Sequence, residues 1–251
     1  MLPYINLGSI GFPTAPLVYI IGAWVSLYVV DRAARRLELD AETIYSLAAA
    51  TLISGFVGAR LTFVLLHWSS FDDNLLGILW PLNSGYSGVG GVLFAAAATY
   101  FYARWKRLDL WTVLDALAPG IISWLIFTSL ADFLGGPGFG ALTSLPWGIE
   151  QYGVQRHPVQ IYEILVGLAS LGVWWLATQP ERRSLDGRAF LMTTAVYAGG
   201  RLFVEAFRDN AWYTTNGLHV VQIISFVIML GSLLLLAWRS SYSPVKPATE
   251  S

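Results

Sequence analysis

The sequence predicts an all-α polytopic membrane protein. Seven transmembrane helices form one domain over residues 1–239, with the N-terminus outside, the C-terminus in the cytoplasm and a short disordered cytoplasmic tail at 240–251. Three observations predict this. Charged residues make up 12% of the chain, about half the share of a soluble domain, and the mean hydropathy is +0.57. Seven apolar runs are long enough to cross a bilayer at about 20 residues each. Lys and Arg fall eleven to two on alternate connections, the bias that marks the cytoplasmic side.

The elements follow in order. Residues 1–12 carry no Lys or Arg, so no cleaved signal peptide is expected and the first run, Pro13–Val30, stays as a spanning helix. Arg32, Arg35 and Arg36 follow it on the inside. Ile44–His67 runs outward with Arg60 late in it. Gly88–Trp105 returns, entered through the glycine-rich loop Asn83 to Gly91 and left by Arg104, Lys106 and Arg107. Trp111–Leu134 runs outward and ends at Asp132 and a second glycine cluster, Leu134 to Gly140. Pro158–Ala177 runs inward, with Pro158 suited to a first helical turn. Arg182 and Arg183 precede Arg188–Ala206, and Val220–Trp238 ends at the cytoplasmic Arg239 and Lys246. Net charge of -1 gives no reason to expect a nucleic-acid partner, and the absence of cysteine excludes disulfides, thiol catalysis and Cys metal sites.

Charges inside lipid are costly, roughly 2.5–3.5 kcal/mol each on insertion scales, and face partners or wet cavities. On this map Arg60, Asp132, Glu163, Arg201 and Glu205 all fall in the outer half. Asp115 alone falls in the inner half, one turn into its helix, where exposure at the interface would account for it. Arg201, Glu205 and Arg208 follow at spacings of four and three and share a helix face. They either lock two helices together or form an anion site near the outer surface. The N-terminus of the third helix, at Ser87 and Gly88, also points outward: it either favours an anion there or its glycines simply permit a tight re-entry and close helix packing. Arg156-His157-Pro158-Val-Gln160-Ile-Tyr-Glu163 enters the fifth helix from the same side. Arg60, Arg201 and Arg156 or Arg208, with these carboxylates, suit a phospholipid phosphate.

These motifs are where the chain resembles the prolipoprotein diacylglyceryl transferases. The similarity runs from Leu7-Gly8 through Gly58-Ala-Arg60, Arg156 to Glu163 and Tyr197-x-x-x-Arg201-x-x-x-Glu205-x-x-Arg208 to Gln222. The resemblance implies a multi-pass protein of the bacterial plasma (inner) membrane that moves a diacylglyceryl group from phosphatidylglycerol to the lipobox cysteine of a prolipoprotein signal peptide. It implies no cofactor and no metal. It also implies a catalytic Arg201, with Arg60, Ser87, Gly88, Asp132, Arg156, His157, Gln160, Glu163, Glu205 and Arg208 binding substrate. The chain departs from the family pattern at several positions. The family's His-Gly-Gly meets Ser87-Gly88-Val89, its signature Arg meets Ser129, its two signature Asn meet Asp132 and Gly135, its Glu meets Pro137, and a first-helix Tyr meets Ala15. A catalytically silent relative that binds phospholipid and serves as an accessory or assembly subunit is the alternative expectation.

Overall fold

The structure, a computed structural model, describes residues 4–7, 10–71, 76–79, 85–136 and 138–241. Gly8, Asn83, Ser84, Pro137, Lys246 and the tail beyond Ser241 lie outside the described residues. The order is β1 (Tyr4–Leu7), β2 (Ile10–Pro13), α1 (Thr14–Arg36), α2 (Ala41–Leu66), a one-turn α3 (Leu76–Leu79), α4 (Gly88–Trp105), α5 (Leu110–Gly135), β3 (Ile149–Gln151), β4 (Val154–Arg156), α6 (Val159–Ala177), α7 (Arg188–Val204) and α8 (Val220–Ser241). The seven long helices coincide with the seven apolar runs. The two β-hairpins, β1–β2 and β3–β4, are additions the sequence did not announce.

Five of the helices, α1, α2, α5, α6 and α8, are long and apolar enough to cross a membrane. The other two, α4 and α7, have 18 and 17 residues. Large apolar side chains such as Trp24, Leu65, Val92 and Phe101 stand exposed around the bundle, an unfavourable surface in water that lipid covers.

Local signals set the helix ends. Asp40 and Asp109 cap α2 and α5, accepting from the N–H of Glu42 (3.2 Å) and Thr112 (2.8 Å). Gly136, at φ +87°, closes α5. α1 continues past the expected end at Val30 because Ala33, Ala34 and Leu37 are buried in the apolar cluster; an exposed Asp31–Arg35 pair across a turn, at 2.9 Å, adds a little. α5 lies along α1 and α6 and also touches α7. Any side chain at Gly120 would meet Val30 and the Ser26 carbonyl of α1. Small residues bring α2 and α4 together in the same way, Gly55 and Ala59 facing Gly91 and Ala95.

The connections that the sequence marks as basic converge on one end of the bundle. Arg36 stacks on Trp175 (3.6 Å) and donates to Thr178 (3.0 Å), Arg183 pairs with Glu38 (3.1 Å), and Arg239 stacks on Trp111 (4.0 Å). The buried apolar cluster, from Val30 and Leu37 through Leu47 and Val113 to Trp174, sits toward the same end.

Asp115 departs from expectation. It is fully buried, not exposed at the interface. Its two carboxylate oxygens accept the N–H groups of Gly187 and Phe190, each at 2.8 Å, and its carbonyl accepts the Trp174 indole N–H at 2.8 Å. Gly187 has no side chain with which to cap α7, so α5 supplies the cap, and a negative charge suits a helix N-terminus. The glycine is required, because φ is +87° and a Cβ would strike Trp111.

Asp115→Ala would leave two buried N–H groups without acceptors, at a cost of about 3 kcal/mol. The thermal midpoint of the detergent-solubilised protein should fall clearly, with Asp115→Asn, which keeps one acceptor, in between. An unchanged midpoint in Asp115→Ala would contradict the cap.

Candidate functional site

At the end opposite the basic connections, four charged side chains close into a ring. Arg201 lies in the last turn of α7. The helix then tightens into a 3₁₀ turn over Glu205–Phe207, with Arg208 as its cap, so the spacing of four and three keeps the three side chains together across the change of helix type. Glu163 comes from the first turns of α6. One of its carboxylate oxygens, Oε1, accepts from both Arg201 Nη1 and Arg208 Nη2. Glu205 Oε2 accepts from Arg208 Nε (3.1 Å) and Arg201 Nη2 (3.5 Å). The carboxylates are 4% and 1% exposed, and the guanidinium side chains 20% and 14%, so the anions form the buried floor and the cations the more open side. Arg201 Nε and Arg208 Nη1 take no partner among the described residues. Gly138 leaves the space beside Arg208 Nη1 open, where a Cβ would come within 3.0 Å.

α5 adds two groups from its C-terminal end. Ser129 donates to the second Glu163 oxygen at 2.7 Å. Asp132, three residues on, faces the Tyr19 hydroxyl and lies within electrostatic reach of Arg201 and Arg208. The ring is formally neutral and Asp132 makes the cluster -1. Two carboxylates in contact with two guanidiniums recover part of the heavy desolvation cost of each ion, and each guanidinium is held by both carboxylates.

The segment after α5 stitches the site's flank. Backbone bonds run from Ala141 N–H to Phe207 (2.8 Å), from His157 N–H to Ala141 (3.0 Å) and from Thr143 N–H to Gln155 (3.1 Å). This segment is therefore tied by isolated β-bridges, Gly140 to Arg208 and Leu142 to Arg156, between β4 and the end of α7, more regular than its glycines suggested. Arg156 donates to the Gly140 carbonyl (3.0 Å) and pairs with Asp209 (2.6 Å), away from the ring. Gln160 is fully buried and donates to the Gly138 carbonyl, while its Oε1 has no partner among the described residues. His157 Nδ1 meets the Tyr162 hydroxyl (3.2 Å), which accepts the Trp147 indole N–H (2.9 Å).

Arg60 stands apart. Its three nitrogens donate to the carbonyls of Gly77 (2.6 Å), Ile78 (3.0 Å) and Gly85 (3.0 Å), and no contact links it to the ring among the described residues. Ser87 caps α4, accepting from Gly90 N–H at 3.3 Å, and Gly88 borders open space. The anticipated site thus divides into the ring with Asp132, the flank of Arg156, His157 and Gln160, and the Arg60–Ser87–Gly88 group. Sequence reasoning gave Ser129 and Tyr19 no role. The signal available for Ser129 was its position three before Asp132 on one helix face.

Comparison with known proteins agrees over almost the whole chain. The sequence model of the prolipoprotein diacylglyceryl transferase family matches residues 4–238. Three proteins named phosphatidylglycerol–prolipoprotein diacylglyceryl transferase are similar throughout. The one from Aliarcobacter butzleri is 30% identical, covering 81% of this chain and 79% of its own. That from Thermosynechococcus vestitus is 27% identical, covering 91% and 89%, and that from Enterococcus faecalis 24%, covering 89% and 84%. With the match spanning every long helix and the residues of the ring, the chain belongs to the prolipoprotein diacylglyceryl transferase family.

Proposed function

We propose that this chain transfers a diacylglyceryl group from phosphatidylglycerol to a prolipoprotein cysteine, at the outer face of a bacterial plasma membrane that it crosses seven times with its N-terminus outside. The observation that carries the reading is the Arg201–Glu163–Arg208–Glu205 ring, in a chain whose relatives bear that activity in their names. In the transfer a phosphodiester becomes a phosphate monoester, and negative charge grows on the leaving group. Fixed guanidiniums aimed at such charge lower the barrier without reorganising, and an arginine fork matches phosphate oxygens. Glu163 and Glu205 hold the two forks, and the unpartnered donors on Arg201 and Arg208 are the ones offered to the lipid. None of the relatives favours the silent alternative.

The reading is tested by expressing the chain in cells depleted of their own transferase and following diacylglyceryl modification of a lipobox substrate. Arg201→Ala should reduce transfer by about 10²–10³. Arg201→Lys should recover little, because a point-like ammonium cannot span both carboxylates. Failure of the inserted, folded wild type to modify the substrate would end the proposal.

Ser129→Ala removes the hydrogen bond that fixes Glu163. A bond to a charged group contributes about 1.5–3 kcal/mol, so transfer should fall at least about tenfold with the protein still folded; an unaltered rate would deny Ser129 that role.

Because the chain lacks cysteine, single introduced thiols report the topology. Asn216→Cys should react with a membrane-impermeant reagent in intact cells, and Arg182→Cys only after the membrane is opened. The reverse pattern would invert the assignment.

A further inference from the structure

We propose that Asp132 is the general base that takes the proton from the attacking thiol, an assignment that rests on the transfer reading above and names the base for it. Three carboxylates gather at the site, and two are committed. Glu163 and Glu205 each accept from both Arg201 and Arg208, and Glu163 also accepts from Ser129. Protonating either would strip guanidiniums of a partner and open the ring. Asp132 makes no ion pair among the described residues. It stands three residues beyond Ser129, whose hydroxyl meets Glu163 at 2.7 Å, so it shares the helix face that α5 turns to the ring. It is partly exposed near the C-terminal end of α5, beside the Tyr19 hydroxyl and within electrostatic reach of Arg201 and Arg208. It can therefore gain and lose a proton while every contact of the ring stays in place.

The other candidate is less well placed. His157 Nδ1 is tied to Tyr162, and its ring packs on Phe207 at 4.9 Å. No contact joins it to the ring among the described residues. Its links run to the flank and not to the guanidiniums that would hold the phosphate.

The step balances without any further reagent. The thiol proton passes to an Asp132 oxygen, and the sulfur forms a C–S bond at the glyceryl carbon that carried the phosphate. The C–O bond to that phosphate breaks, its electron pair leaving with the glycerol phosphate between Arg201 and Arg208. Asp132 returns the proton to the departing monoester, whose second ionisation lies near pH 6.

The test uses the full-length protein in phosphatidylglycerol-containing vesicles, with one lipobox peptide made with cysteine and another with selenocysteine, which is ionised at neutral pH. At pH 7 Asp132→Asn should slow transfer to the cysteine peptide by about 10²–10³-fold. The deficit should shrink as pH rises past the ordinary thiol value of about 8.5. With the selenocysteine peptide it should be nearly absent, and KM for the lipid should not move. Asp132→Glu, which keeps a carboxylate, should retain most of the activity and guards against misfolding as the explanation. A deficit in Asp132→Asn that is the same at every pH and for both peptides, an Asp132→Glu variant equally inactive with both, or a full rate in Asp132→Asn at pH 7 would overturn the assignment while leaving the transfer reading intact. A folded wild type inactive with both peptides would overturn both.

Discussion

One carboxylate oxygen carries much of this architecture. Glu163 Oε1 receives two guanidiniums from the far end of α7 while its other oxygen receives Ser129 from α5, so three helices meet on one side chain. A buried ion of this kind is costly unless every lone pair is used, and removing one partner leaves a stranded charge. The same economy governs the neighbours. Glu205 closes the ring from beneath, and each guanidinium keeps one nitrogen without a partner among the described residues. The extended segment between α5 and β3 is then held against β4 and the end of α7 by backbone bonds, which fixes the site's flank without using any of its charges.

The bundle divides its labour along its length. One end holds the apolar cluster and the basic connections, with Asp115 its one fully buried charge among the described residues, its carboxylate capping α7. The other end holds the ionic ring, the hairpins and the loops. α7 links the two: a carboxylate from α5 fixes its start, and a carboxylate from α6 with one of its own fixes its end. The position of Arg201 is therefore referenced to the core through a short, doubly anchored rod.

Much of this was legible in the sequence, and the reasons differ by element. Long apolar runs located all seven helices, because burying backbone polar groups in lipid leaves helix as the available form. Hydropathy marks where lipid ends and not where packing ends, so α1 overran Val30 by burying Ala33, Ala34 and Leu37. The spacing of Arg201, Glu205 and Arg208 gave the ring's first half. That Glu163 would join it followed from topology only as a shared depth. Asp115 was misread because its partners lie 72 and 75 residues away, a distance at which spacing carries no information. Arg60, expected to hold phosphate, gives three of its five N–H donors to backbone carbonyls of the neighbouring connection, and carbonyls leave no trace in composition.

The tightening at the end of α7 has a consequence for where the site lies. Seventeen residues of α-helix rise about 25 Å, and the 3₁₀ turn Glu205–Phe207 adds about 6 Å. The rod thus reaches the roughly 30 Å of a hydrocarbon core only through the turn that carries Glu205. Crossing the membrane as proposed, α7 would set Glu205 and Arg208 at the depth where acyl chains give way to headgroups, level with the phosphates of lipids still seated in their leaflet.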